Sequence, residues 1–245
     1  VVFNASNILL AAAVALCGMS VAFPVGVGLA LVLGVLINYF GAAKGDPLFI
    51  FLGVALIAAA IVMNGLAYRM ARTGKRKLTA KGLLISVAAG TIMAFFYRFV
   101  ASSMDLDSFT APAAGKMTPY TAVVVFATGV FVSNFLFNTI AMKCPVEGTP
   151  VRPSEYFGGT FRTHLVGMLG GAIWCLGESF SMIASGKAGA AISYGLGQGA
   201  TLVSALWGIL IWKEFRGAPG ASVLCNAGMF VLFLAGLGLL IYAGA

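Results

Sequence analysis

Charge is what this chain has least of. Of its 245 residues only 9% are charged while 60% are hydrophobic, and the mean hydropathy is +1.01. So little polar surface cannot coat a water-soluble globule. Acidic residues number 7 and histidine 1. The acids fall mostly in connectors, so no nucleophile–base pair or metal cluster assembles, and an enzyme is excluded. Four cysteines, Cys17, Cys144, Cys175 and Cys225, stand singly. Without CxxC or Cys/His spacing they imply no metal, no cofactor and no disulfide framework, and they read as small apolar packers. A cleavable signal is lacking too: no basic stretch precedes Asn4, and the apolar run continues past Phe40. The chain begins with Val rather than Met, from which we expect an N-terminal segment to precede it.

What is there is apolar and helical. Eight stretches of spanning length run over 3–19, 21–40, 47–70, 83–103, 118–142, 162–185, 188–212 and 221–244. A helix crosses a bilayer core of about 30 Å with roughly 20 apolar residues. Lipid forces the backbone to satisfy its own hydrogen bonds, which leaves helices or a closed barrel. These runs are continuous, too long for barrel strands, and without the alternation that a barrel needs. The expected fold is an all-α, polytopic membrane protein with eight transmembrane helices.

The net charge of +8 is a matter of topology. Connector 69–82 holds Arg69, Arg72, Lys75, Arg76, Lys77 and Lys81; connector 142–162 holds Lys143, Arg152 and Arg162; connector 213–220 holds Lys213 and Arg216. Only Lys44, Lys116, Lys187 and Arg98 lie elsewhere. Basic loops mark the cytoplasmic face, so these three alternate connectors are placed there, in a multi-pass protein of the cell's inner membrane. Contact with anionic lipid suits such a face. Nucleic acid does not fit the pattern.

An internal repeat organises the chain. Gly34-Val-Leu-Ile closes the second span and Gly208-Ile-Leu-Ile the seventh. Each is preceded by a glycine-rich start (Gly18, Pro24, Gly26 and Gly28; Gly189, Gly195, Gly197 and Gly199) and followed by a short connector and one more span. A five-helix unit makes residues 83–245 a complete second copy and residues 1–70 the last three helices of the first. Residues 71–82 are then the basic cytoplasmic connector. Odd-numbered units are inverted relative to each other, the arrangement that alternating access uses.

Asn4-Ala-Ser-Asn7-Ile-Leu-Leu with Gly18-Met-Ser-Val-Ala-Phe-Pro-Val-Gly26 resembles the third and fourth helices of the drug/metabolite transporter superfamily. The closer resemblance is to its glucose/ribose porter and ureide permease branch. Trp207-Gly-Ile-Leu-Ile-Trp-Lys-Glu-Phe215 resembles the end of that branch's penultimate helix, and Gly171-Ala-Ile-Trp174-Cys-Leu-Gly177 its eighth helix. The resemblance implies ten helices in two inverted five-helix repeats, which supplies the two absent helices. Plant members of the branch carry a long central domain with a nucleotide-binding-like motif. Here the connector is short, and Gly74-Lys75 lacks the GxxxxGK[ST] spacing. The resemblance does not transmit the substrate, since members are associated with sugars, ureides and nucleobases, and a homodimer is left open.

Ionisable side chains inside spans are costly and mark function. Arg98 and Glu178 both fall roughly 8–10 Å below the outer surface at 1.5 Å per residue, a depth that permits an ion pair or a shared proton network. Glu178 shares a helix face with Trp174 and Ser181, and Tyr194 and Gln198 are likewise four apart. Aromatic faces beside amides and hydroxyls suit a neutral polyhydroxylated or amide-rich solute, though the aromatics would also serve as packing. Asn134 and Asn138 line one face of the fifth span and serve either solute or helix–helix bonding. His164, Asn38 and Asn64 read as structural. Gly167-xxx-Gly171 and Gly195-xxx-Gly199 permit close helix contact, and Pro24 should bend its helix. Trp207, Trp212 and Tyr68 sit as interfacial belt residues.

The expected substrate-binding set is Trp174, Glu178, Tyr194, Gln198, Asn134 and Arg98. Together these lead to a secondary active permease for a small polar organic solute (a sugar, ureide or nucleobase). It is proton-coupled and works by alternating access. Glu178 is the proton-coupling candidate, because carboxyls inside membranes serve as proton relays; a proton or other cation is thus the second partner. The alternative is a multidrug or metabolite exporter of the same fold.

Overall fold

A computed structural model describes residues 1–71 and 79–244. Among them the regular structure is helical: α1 Val2–Cys17, α2 Met19–Ala22, a π-helical turn Phe23–Val27, α3 Gly28–Gly41, α4 Pro47–Met70, α5 Ala80–Ser103, α6 Pro119–Lys143, α7 Pro153–Phe157, α8 Phe161–Ala188, α9 Ala190–Gly197, α10 Ala200–Leu210 and α11 Gly220–Ala243. Most of the basic connector, residues 72–78, lies outside the described residues.

Six of these helices are long and apolar enough to cross a membrane: Met19–Gly41, Pro47–Met70, Ala80–Ser103, Pro119–Lys143, Phe161–Ala188 and Gly220–Ala243. The other two expected spans differ. α1 has 16 residues, about 24 Å of helix at 1.5 Å per residue. The stretch expected as one helix over 188–212 divides into α9 and α10 at Gln198–Gly199, where Gly195, Gly197 and Gly199 weaken helix formation. The five-residue α7 was not anticipated.

Local chemistry sets the helix ends. Thr79, Thr118 and Thr160 each accept a hydrogen bond from the backbone N–H three residues on, at 3.0, 3.2 and 3.3 Å, and Asp46 accepts one from Leu48 N at 2.8 Å. Side-chain oxygens thereby satisfy donors that the helix leaves open. Pro47 and Pro119 occupy first turns, where a missing N–H costs nothing. Pro24 sits deeper in its helix and cannot donate. The ladder widens around it, so that Gly28 N bonds to Phe23 O, five residues back. The expected bend is thus a π turn.

Two glycines turn the chain sharply. Gly18 (φ 85, ψ 166) ends α1 and begins α2; Gly189 (φ 83, ψ 157) ends α8 and begins α9. That conformation is open to glycine at little cost. α5 lies between both arms of the first hairpin. Its Gly82 backs on Leu16 and Cys17, and its Gly90 on the carbonyl of Gly26. α4 and α11 run antiparallel in close contact: a Cβ on Gly53 would come within 2.8 Å of Gly236 O, and Ser222 donates to Ala67 O at 2.6 Å. The glycine pairs divide in the same way. Gly195 and Gly199 back on Val35, Leu237 and Leu240, whereas Gly167 and Gly171 meet nothing within 4 Å among the described residues.

The loop between α5 and α6 is tied by Met104 and Met117 and by Asp105. Asp105 accepts from the backbone N–H groups of Ala113, Ser108 and Asp107 at 2.8, 3.0 and 3.0 Å. These bonds, with Lys116 nearby, hold its carboxyl below the usual carboxylate range. Because the folded value is the lower one, the loop gains order above the ordinary carboxylate range and loses it only as pH falls through the depressed value. We expect limited proteolysis of residues 104–118 in D105N to be faster at neutral pH than in the parent, which should become comparably sensitive only in strong acid. Equal rates at neutral pH would remove Asp105 from this role.

Candidate functional site

The site starts from an aromatic line across the bundle. Trp174 on α8 stacks on Phe3 of α1 (4.7 Å between centroids, 24° between planes). Phe3 meets Phe96 edge-on at 5.0 Å, Phe96 meets Tyr194 at 5.9 Å, and Tyr194 meets Tyr97 at 5.3 Å. Edge-to-face geometry of this kind adds to simple burial. Tyr194 is buried, its hydroxyl donating to the carbonyls of Ala30 (3.1 Å) and Met93 (3.4 Å), and its ring rests directly on Gly34. Only glycine leaves room there. One tyrosine therefore pins α9 to α3 and α5.

Glu178 lies one turn before Ser181 on α8. Its Oε1 is enclosed and has no hydrogen-bond partner among the described residues. Tyr97 donates to Ser181 O at 3.0 Å; Ser181 Oγ reaches the Tyr97 hydroxyl at 3.3 Å and Ser193 O at 3.2 Å. Among the described residues the buried Ser193 hydroxyl has no partner. Unpaired polar atoms in an apolar interior are expensive, and Glu178 Oε1 and Ser193 Oγ are two such atoms, one a helical turn from Ser181 and the other on the residue whose carbonyl Ser181 meets.

The structure therefore brings Trp174, Glu178 and Tyr194 into one region. Gln198 is half-buried at the break between α9 and α10, one turn beyond Tyr194. Arg98 goes elsewhere: its guanidinium lies over Gly41 at the end of α3, and no ion pair joins it to Glu178. Asn134 faces outward on α6, while Asn138 opens onto a shallow groove of about 510 Å³ with Met142, Val151, Glu155 and Tyr156. His164 packs edge-on against Tyr156 at 4.9 Å. Asn38 donates to Gly34 O at 2.8 Å, and the buried side chain of Asn64 has no partner among the described residues.

Sequence reasoning missed Phe3, Phe96, Tyr97 and Ser193. Their only signal was adjacency, Tyr97 to Arg98 and Ser193 to Tyr194. It met Asn4 and Glu214 only inside motifs and gave neither a role, although Asn4 is buried and donates to Ser133 Oγ at 3.1 Å and the Glu214 carboxylate meets the backbone at Gly18. Among the described residues no group of three His, Cys, Asp or Glu side chains is placed to hold a metal ion.

Several apolar helices of spanning length with polar side chains sequestered between them make a multi-pass membrane protein. The ureide permease family profile matches residues 67–243, and the chain belongs to that family. Ureide permease 2 of Arabidopsis thaliana is 24% identical over 168 residues, 68% of this chain and 42% of its own length. Ureide permease 1 of the same plant is 24% identical over 165 residues, 67% of this chain and 42% of its own. The chain thus spans less than half the length of the curated relatives it matches. No solved structure matches it. The family match takes in Trp174 and the stretch Trp207–Phe215, and begins after the stretch Asn4–Gly26.

Proposed function

We propose that the protein is a secondary active permease for a small polar solute of the ureide, nucleobase or sugar type, working by alternating access with proton coupling at Glu178. The observation that carries this reading is the enclosed Glu178 Oε1, without a hydrogen-bond partner among the described residues and one turn from Ser181, which bonds Tyr97 and Ser193, in a chain of the ureide permease family. Ureides are rich in N–H and C=O groups, which a carboxylate, hydroxyls and an amide such as Gln198 complement. Trp174 and Tyr194 supply the aromatic face, whereas Asn134 and Arg98, also expected to bind substrate, lie away from this region.

Eight spans within a ten-helix, inverted five-plus-five architecture fit the same reading. The like turns at Gly18 and Gly189 support it, as do the interrupted helices that follow each and the 24-residue helices α4 and α11 beyond them. The basic connectors then face the cytoplasm.

Flux into proteoliposomes tests the function. With an inward proton gradient we expect allantoin or uracil, or failing these a sugar, to accumulate above the level in protein-free vesicles. Transport of a lipophilic cation alone would replace import with export of drugs. No flux of any of them would end the permease reading.

A further inference from the structure

Two charged side chains, one in each half of the chain, reach across to the turn of the other half's hairpin. We propose that Glu214 and Lys44 are reciprocal gating latches, each holding closed one end of the bundle, so that release of one goes with closure of the other. This rests on the alternating-access reading above.

Glu214 sits in the connector between α10 and α11. Its carboxylate accepts the backbone N–H groups of Met19 and Ser20, both at 3.0 Å, and the hydroxyl of Ser20. It lies so close on Gly18 that a Cβ there would come within 2.9 Å of Oε1. The connector is itself fixed: Glu214 N donates to Gly208 O at 3.1 Å, and Phe215 is buried with Ala67 and Ala71. An anion thus caps the positive start of the helix that follows the first turn.

Lys44 sits in the connector between α3 and α4. Its ammonium donates to Gly186 O at 2.7 Å, and its side chain lies on Gly189, where a Cβ would meet Lys44 Cβ at 3.0 Å. This connector too is fixed, because Asp46 N donates to Ala243 O at 3.0 Å. A cation therefore caps the negative end of the helix that precedes the second turn. The signs are opposite, and each matches the helix terminus that it meets.

The two latches lie at opposite ends. α4 and α11 are antiparallel, with Ala67 beside Ser222 and Gly53 beside Gly236. The connector that begins α4 is therefore level with the end of α11, and the one that begins α11 is level with the end of α4. Lys44 is exposed and Glu214 half-buried, so water can replace either contact when it opens. Both are closed here. Each half of the chain holds the other half's turn, which makes opening of either end a concerted event between the halves.

The test is side-specific thiol labelling of the full-length protein in sealed vesicles, with no solute present. Native Cys17, buried beside the first turn, reports that end once Cys144, Cys175 and Cys225 are replaced by Ser. Ser185→Cys, with Cys17→Ser, reports the other, since Ser185 is buried beside the second turn. We expect Glu214→Gln to raise labelling of Cys17 by a membrane-impermeant maleimide about tenfold, as loss of a charged helix cap shifts a two-state population. The same variant should lower labelling at S185C. Lys44→Gln should do the reverse, and the double variant should restore the parent's balance. A rise at Cys17 with S185C unchanged would reduce Glu214 to a static cap and overturn the reciprocity. Equal rises at both reporters, or no change at either, would overturn the proposal altogether. Wild-type flux tests the permease reading separately, because labelling requires no solute.

Discussion

Glu178→Gln should abolish solute accumulation driven by a proton gradient while leaving solute exchange across the membrane in place. Glutamine keeps the size and hydrogen-bonding reach of the side chain but cannot take up and release a proton. The surroundings are prepared for the change. Glu178 Oε1 has no partner to lose among the described residues, and Arg98 rests over Gly41, so the substitution leaves no arginine stranded beside a missing carboxylate. Breaking a buried pair costs several kcal/mol, roughly 3–5, and would have confounded folding with coupling. With no such pair, a loss of accumulation reads on the proton alone. The measurement compares uptake under an imposed pH gradient with counterflow at equal pH. Undiminished accumulation would remove Glu178 from coupling and leave it a packed polar group.

The second large effect lies in the helix contact around the π turn. Gly90→Ala should lower thermal stability sharply, because a Cβ on Gly90 would overlap the carbonyl of Gly26 and crowd its Cα at 3.2 Å. Two opposing terms act. Alanine favours a helix over glycine by about 1 kcal/mol. Overpacking costs about 1–3 kcal/mol or more, and here the obstacle is backbone, which cannot rotate aside as a side chain would. The clash wins, by about 2 kcal/mol. Gly167→Ala is the control, since nothing lies within 4 Å of the added atom and only the propensity gain remains. The readout is the melting temperature of the detergent-solubilised protein. A Gly90→Ala variant as stable as Gly167→Ala would mean that α5 and the π turn do not approach so closely.

The fate of individual residues shows where sequence reasoning reached and where it stopped. Pro47, Thr118, Pro119 and Thr160 mark helix starts that were legible, because capping and proline chemistry act within one turn of chain. The interruption at Pro24 was legible as well, but its form as a π turn depends on how the neighbouring ladder relaxes. Gly167-xxx-Gly171 and Gly195-xxx-Gly199 carry the same spacing, yet only the second pair meets a neighbour. Spacing says which residues share a helix face and not what that face meets. Glu178 stood out because a charge within an apolar run is visible by itself. Phe96, Tyr97 and Ser193, which surround the same region, are ordinary residues of apolar helices until the bundle closes.

By itself the sequence determined the solvent, the helical class and the approximate ends of most helices. Those depend on run length, on hydropathy and on contacts within one turn. Only the tertiary structure decided that Tyr194 rests on Gly34, that Arg98 stands apart from Glu178, and that Glu214 and Lys44 meet glycine turns in the opposite half of the chain. Those partners are set by the rotation and register of whole helices against one another. No local spacing encodes such contacts, since they arise from the summed packing of every helix between them.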